Sequence, residues 1–491
     1  MQQTATIALE SYRAALKEAV ARGTLYEFAT TALDHLDQPL WTVALVAEDG
    51  ALCDGFGYGP TWQAAQASAW GEAVEWFFAR DALKRMPRVE ASYADLMRRG
   101  RAALDPVALN LSAGSAYTPD MPLTWVEAHH YPSGETVLVP IEAAAPRYAD
   151  IGPNVNRART VTTPITNGLG AGPSFAHALA HGIMEVLQRD GNSVNYRAMD
   201  RGIVVELDTV EDTETQALLA HLDAQGVEVV VKLADTSFGI TNLYVVGYDR
   251  DPTRSYHPLA LSACGEAAHP DRERALAKAL REFISARVRK PFCHGSLANV
   301  AQIAPRGYLD LFKPSALRSE DDRALQEMRR WLALDHQQFF DLIREPIFTE
   351  RERVRFSTLP TVPWTHADDA QTRLDLLQSR LAADGLDIFY VDFTPDGSSV
   401  TVLKAIAPGL EVETMTYQRI GGRNLRRLLE RGSPLIGRGA RPVGALPILL
   451  RSADEAALGP AWLDPAALDA AMGDLYAMYR EPGRHVIGFA K

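Results

Sequence analysis

A mixed α+β fold, with mixed and antiparallel sheets covered by long helices, is predicted by three features of this sequence. Helical and strand-like segments alternate irregularly, no fixed-period repeat runs through the chain, and 47% of the residues are hydrophobic against 23% charged. Single hydrophobic cores stop growing near ~250–300 residues, so 491 residues allow two or three lobes.

Taken in order, residues 5–36 read as helical, and LWTVALVAEDG at 40–50 as a strand ending in a turn. Gly55-Phe-Gly-Tyr-Gly reads as a connection to an Ala-rich helix beginning at Thr61. TWVEAHHY and ETVLVPIEA, separated by Tyr-Pro-Ser-Gly, predict a hairpin. TTPITNGLGAG then leads into a strong helix in which Phe175, Leu179, Ile183 and Val186 recur at helical spacing, with Ser174 as N-cap. IVVEL, a helix near 213–224, VEVVVKLAD and NLYVVGYD follow, and then a long helix near 270–290. Residues 319–345 and 461–480 read as helical, LDIFYVDFT and VTVLKAIAPG as strands, and the proline-bearing stretch 359–364 as an internal joint.

Composition excludes several classes. A formal charge of -12 gives the whole chain no electrostatic footprint for nucleic acid, and Arg419-Ile-Gly-Gly-Arg-Asn-Leu-Arg-Arg427 reads as a solvated helix start. The N-terminus lacks the apolar run of a signal peptide or membrane span, so a soluble cytoplasmic protein is expected. Cys53, Cys264 and Cys293 are widely spaced without a CxxC pair, which points away from a disulfide framework, and Cys264 reads as a buried, inert thiol.

Polar rows on three helices are the candidates for chemistry. Ser68, Glu72 and Glu75 share one helical face, as do His177, His181, Glu185 and Gln188. Glu282 stands between Arg281 and Arg287 on a third helix. Inward-facing carboxylates suit Mg2+, a hard cation commonly shared with nucleotide phosphates, whereas solvated helix faces are the plain alternative. No GxxxxGK[ST] and no kinase signature is present, so any ATP site is not a P-loop. His177 and His181 at i, i+4 are an alternative Zn2+ pair, without the HExxH glutamate of a zinc protease.

These segments resemble the YcaO family of ATP-using peptide-backbone modifiers. Ser68-x-x-x-Glu72-x-x-Glu75 has the spacing of its first motif, and Asn167-Gly-Leu-Gly-Ala-Gly172 followed by Glu185-Val-Leu-Gln188-Arg189-Asp190 resembles its second. Ala407-Pro-Gly-Leu-Glu411 is similar to a late family segment. The resemblance implies a YcaO-like core over 37–415, between an N-terminal helical segment 1–36 and a C-terminal helical extension 416–491. It implies ATP and Mg2+ as cofactors, with Glu72, Glu75 and Glu185 holding the metal. Ser68, Gln188, Arg189 and Glu282 complete the implied nucleotide pocket, and no residue is assigned as catalytic.

The implied reaction phosphorylates the oxygen of an adduct at a backbone amide, giving azolines, thioamides or related products in a ribosomally made peptide. A precursor peptide, a leader-peptide-binding partner protein and a homodimer are the implied partners. The alternative is a degenerate YcaO-like scaffold that binds peptide or partner without ATP hydrolysis. Trp76 stands where the family carries arginine, Gln188 for glutamate, His177 and His181 for Glu and Gln, Gly170 for serine and Ser285 for Gln. A proline-rich C-terminal tail, common in azoline-forming members, is not seen at 485–491.

Overall fold

Strands β1 (Thr24–Ala29), β2 (Leu40–Val46) and β3 (Leu52–Tyr58) open the fold as an antiparallel meander. They are followed by β4 (Val89–Ser92), β5 (Pro122–Tyr131), β6 (Thr136–Pro140) and β7 (Leu169–Gly172). Then come β8 (Ile203–Glu206), β9 (Val227–Asp235), β10 (Thr241–Asp249), β11 (Gly265–His269), β12 (Glu352–Arg355), β13 (Ile388–Asp392) and β14 (Thr401–Ile406). The structure, a computed structural model, describes residues 2–152, 160–313, 321–362 and 369–489. Two units emerge: Met1–Ala73, Asn195–Trp364 and Met472–Lys491 form the first, Val74–Val194 and Thr365–Ala471 the second. The chain thus passes between units at the proline-bearing stretch read as a joint, whose residues 363 and 364 lie outside the described residues.

In the first unit, the expected helix over 5–36 is corrected. Helices Gln2–Ala15 and Lys17–Arg22 are followed by β1, which pairs with β2 from Thr24↔Val46 to Ala29↔Trp41. Thr24, Tyr26 and Phe28 suit a pleated surface better than a helix. The glycine-rich segment is likewise strand rather than connection as far as Tyr58. A Cβ on Gly55 would lie 2.1 Å from the Ala69 carbonyl oxygen, and one on Gly57 1.9 Å from that of Ala65. Glycine therefore lets β3 lie directly on the Ala-rich helix Trp62–Arg85.

The second sheet of this unit runs β11-β10-β9-β8-β12, antiparallel except for the parallel pair β12–β8. Helix Arg272–His294, N-capped by Asp271, buries Leu276, Ala279, Leu280 and Phe283 against Val205, Val231, Leu243 and Val245. Within this helix Arg287 is buried and bonded to Asp34 at 2.7 Å and Asp249 at 3.0 Å, so its charge is compensated on both sides.

In the second unit, β4-β5-β13-β14-β7 form one antiparallel sheet with β6 beside β5, which realises the predicted hairpin. Helix Phe175–Asn192 buries Leu179, Ile183 and Val186, and Ser174 caps it by accepting the His177 N–H at 3.2 Å. Residues 461–480 are less helical than expected. Ala461–Leu463 is the middle strand of a small sheet with Ile436–Arg438 and Leu446–Ile448, and helix Pro465–Met472 follows.

The arginine run at 419–427 is not a solvated helix start. Arg419 is buried and donates to the Asn110 and Leu109 carbonyls, while Arg423 and Arg427 pair with buried Asp190 at 3.0 and 3.2 Å. Lys404 on β14 is also buried, and burial lowers its pKa to about 7. Between pH 7 and the ordinary lysine range the unfolded chain therefore binds more protons at this site than the folded one, so its contribution makes stability rise with pH. Lys404→Met is expected to flatten that rise in denaturant titrations between pH 7 and 10; an unchanged slope would place the lysine's titration elsewhere.

Candidate nucleotide and metal site

The two units each carry part of the residue set singled out in the sequence. In the first, the seating of β3 on helix Trp62–Arg85 brings the Phe56 N–H to 2.8 Å from Glu72 Oε2. Burial pushes the Glu72 carboxyl up to about 7, and the carboxylate of Asp54 adds to this, while the Phe56 N–H, Arg289 and Arg484 oppose it. A carboxyl raised by burial fits a metal ligand, since a bound cation would favour its ionised form. Tyr58 donates to Glu282 Oε2 at 3.4 Å, and burial with the two nearby glutamates raises the phenol's pKa. Ser68 is exposed one turn before Glu72.

In the second unit, β7 lies flat on helix Phe175–Asn192. A Cβ on Gly170 would stand 2.2 Å from the Ala178 carbonyl oxygen, and Gly168 adopts φ +91 with Ala405 as close. The chain thereby presents main-chain donors to carboxylates: Ala171 N–H to Glu75 Oε1 at 2.9 Å, and Gly168 N–H to Glu185 Oε2 at 3.1 Å. Arg189 lies 3.7 Å from Glu185 Oε1. Gln188 is buried, 4% exposed, which turns it away from bulk solvent.

The zinc alternative at His177 and His181 is corrected. Among the described residues no group of three or more His, Cys, Asp or Glu could hold a metal ion. The physical reason at His177 is packing, because its ring closes on Gly172 so tightly that a Cβ there would lie 2.4 Å from Cδ2. Mg2+ does not require such a cage, since it keeps waters and takes oxygens from substrate phosphates.

Sequence reasoning missed one guanidinium. Arg147 stacks over the Trp76 indole at 4.2 Å and is bonded to Asp150 at 3.1 Å, so a guanidinium packs against the residue that stands where the family carries arginine. The sequence signal was slight, an arginine in a loop-rich stretch about 70 residues away. Cys264 is half-buried rather than buried as expected, and desolvation with the nearby Glu266 still holds its thiol well above the ordinary range.

Fold and site together define a mixed α+β protein with backbone-anchored glutamates, no P-loop motif, and glycine-bearing strands laid on long helices. Residues 56–411 match the family described as YcaO cyclodehydratase, ATP- and Mg2+-binding, and the chain belongs to the YcaO family. It is similar to a protein of Methanothermobacter thermautotrophicus described as uncharacterized, 28% identical over 403 residues, covering 80% of this chain and 91% of that one. Among solved structures, YcaO from Methanopyrus kandleri bound with AMPPCP and Mg2+ superposes with a TM-score of 0.56 at 18% identity, over 85% of this chain and 93% of that one. A heterocyclase in complex with substrate and cofactor gives 0.57 at 15% identity, over 82% of this chain. The match covers 52% of the heterocyclase, so this chain spans about half its length. Among the described residues no helix is long and apolar enough to cross a membrane.

Proposed function

We propose that the chain is an ATP- and Mg2+-dependent enzyme that activates a backbone amide of a ribosomally made peptide for azoline, thioamide or related modification. The observation that carries this reading is the common anchoring of three family-motif glutamates. Glu72, Glu75 and Glu185 each have one carboxylate oxygen tied to a main-chain N–H. Backbone anchoring sets the direction of a carboxylate without neutralising it, which suits a ligand for a hard cation. Glu72, Glu75 and Glu185 would hold Mg2+, and Arg189 would face phosphate.

An amide oxygen is a poor leaving group, and bound ATP with Mg2+ would supply the phosphoryl chemistry that turns it into a good one. The chain's own residues orient the carboxylates and balance charge. Ser68, Gln188 and Glu282 are assigned to the nucleotide pocket, and Arg147 on Trp76 is a further cation to test. The proposed partners are a precursor peptide, a leader-peptide-binding protein and a second copy of the chain, with the cytoplasm as the compartment. Trp76 and Gln188 support the rival reading of a scaffold that binds peptide without hydrolysing ATP.

Calorimetry of the purified chain with a non-hydrolysable ATP analogue tests the proposal. Binding that requires Mg2+, disappears on chelation and is not replaced by Zn2+ is expected. Absence of binding with Mg2+ would overturn the enzyme reading in favour of the scaffold.

A further inference from the structure

Beside Glu185 and its Gly168 anchor, the second unit carries a partly open cavity of about 70 Å³ lined by Glu142, Thr162, Asn167, Lys404, Glu411 and Arg419 among apolar neighbours that include Val186 and Leu410. Glu142 and Thr162 are 6% and 5% exposed. Even so, Glu142 Oε2, Thr162 Oγ1 and Asn167 Oδ1 have no hydrogen-bond partner among the described residues. Buried polar atoms are rarely left unpaired, so three acceptors around one cavity call for a donor inside it. A carboxylate, a hydroxyl and an amide carbonyl match the three N–H bonds of an ammonium group.

The same cavity is lined by two buried cations. Lys404 Nζ donates to the carbonyls of Ala145 and Ile165, which leaves one of its three N–H bonds. Arg419 uses Nε and Nη2 on the Asn110 and Leu109 carbonyls, leaving Nη1. A simple cation would satisfy the three oxygens but face Lys404 and Arg419. A simple anion would suit the cations but leave the oxygens unpaired beside the Glu142 carboxylate. A ligand carrying both charges answers both halves, as ordered water does more weakly, while the buried Glu411 carboxylate that also lines the cavity already accepts the Gly421 and Asn424 N–H groups.

We propose that this cavity is a binding site for a small α-amino acid, its ammonium held by Glu142, Thr162 and Asn167 and its carboxylate by Lys404 and Arg419. On this measure about 10–15 Å³ holds one water, so the space has room for several waters or for a small ligand such as glycine or alanine. Larger side chains would run into Val186 and Leu410. Burial raises the Glu142 carboxyl to about 7 and lowers the Lys404 ammonium to about 7, the charges of Glu185 and Asp150 opposing the lysine's shift, and a bound zwitterion would bring each group a further counter-charge. The site also gives a role to Asn167 and to the Ala407–Glu411 segment, family-like residues that the nucleotide reading leaves unused. It stands independently of that reading.

Calorimetry of the full chain with glycine, L-alanine, L-leucine, acetate and methylammonium tests it. Saturable binding of glycine or alanine is expected, weakened at least about tenfold by Glu142→Gln and likewise by Lys404→Met. Leucine, acetate and methylammonium are expected not to bind. Both substitutions keep volume; Glu142→Gln is expected to melt at least as high as the parent, Lys404→Met lower because the Ala145 and Ile165 carbonyls lose their donor, and a single cooperative melt in each serves as the folding control. No saturable heat up to about 10 mM glycine or alanine would mean a cavity holding only water. Acetate binding as tightly as alanine, unaffected by Glu142→Gln, would mean an anion site. Either result overturns the proposal.

Discussion

Glu72→Gln is expected to weaken Mg2+-dependent nucleotide binding by about 10- to 150-fold, because one charge-assisted contact typically contributes about 1.5–3 kcal/mol. The substitution is expected not to lower the melting temperature. In the folded protein the Glu72 carboxyl is held near 7 by burial and by Asp54, so its ionised form carries a desolvation cost that the neutral amide does not. Glutamine also keeps a side-chain oxygen to accept the Phe56 N–H. Loss of binding without loss of stability marks a group kept for its ligand. Calorimetry with the ATP analogue, paired with thermal melts on the same samples, measures both. Undiminished affinity would remove Glu72 from the metal-holding set.

The positions of these glutamates on their helices were legible in the sequence because a three- or four-residue spacing on a helix fixes a shared face. Their anchors were not. Phe56, Ala171 and Gly168 act through main-chain N–H groups, which carry no residue signature, and they reach the carboxylates only because β3 and β7 lie flat on their helices. Glycine at 55, 57 and 170 makes that approach possible, yet glycine-rich segments read locally as turns. β1 was missed for a related reason. Thr24–Ala29 is short and follows two real helices, and its strand character comes from pairing with β2.

Long-range pairing also explains the arginines. Arg419 looked solvated because its acceptors, the Leu109 and Asn110 carbonyls, lie some 310 residues earlier in the chain. Arg147 escaped notice because nothing in its own neighbourhood points to Trp76. Hydrophobic periodicity, by contrast, located helix Phe175–Asn192, the β5–β6 hairpin and the Thr213–Ala224 helix, since each buries one face determined by local order.

Asp190→Ala is the substitution expected to damage the fold most. Asp190 closes the segment Glu185-Val-Leu-Gln188-Arg189-Asp190, but its surroundings differ from those of its neighbour. Asp190 is 1% exposed, accepts the Glu411 N–H at 2.9 Å, and pairs with both Arg423 and Arg427. Truncation would remove the carboxylate counter-charge of two partly buried guanidiniums and the acceptor of a buried N–H, a loss of up to about 3–5 kcal/mol for a broken buried pair, although Arg427 keeps the Asp190 main-chain carbonyl and Asn424 Oδ1. Arg189, half-buried beside Glu185, is expected to behave in the opposite way. Arg189→Ala should weaken nucleotide binding while changing the denaturation midpoint little, because a partly exposed pair adds at most about 1 kcal/mol. Urea unfolding of the two variants, followed by calorimetry on whichever remains folded, separates the roles. A denaturation midpoint for Asp190→Ala equal to the parent's would show that the arginines find other acceptors and that the segment's last residue is not what holds helix Phe175–Asn192 to the 422–430 helix.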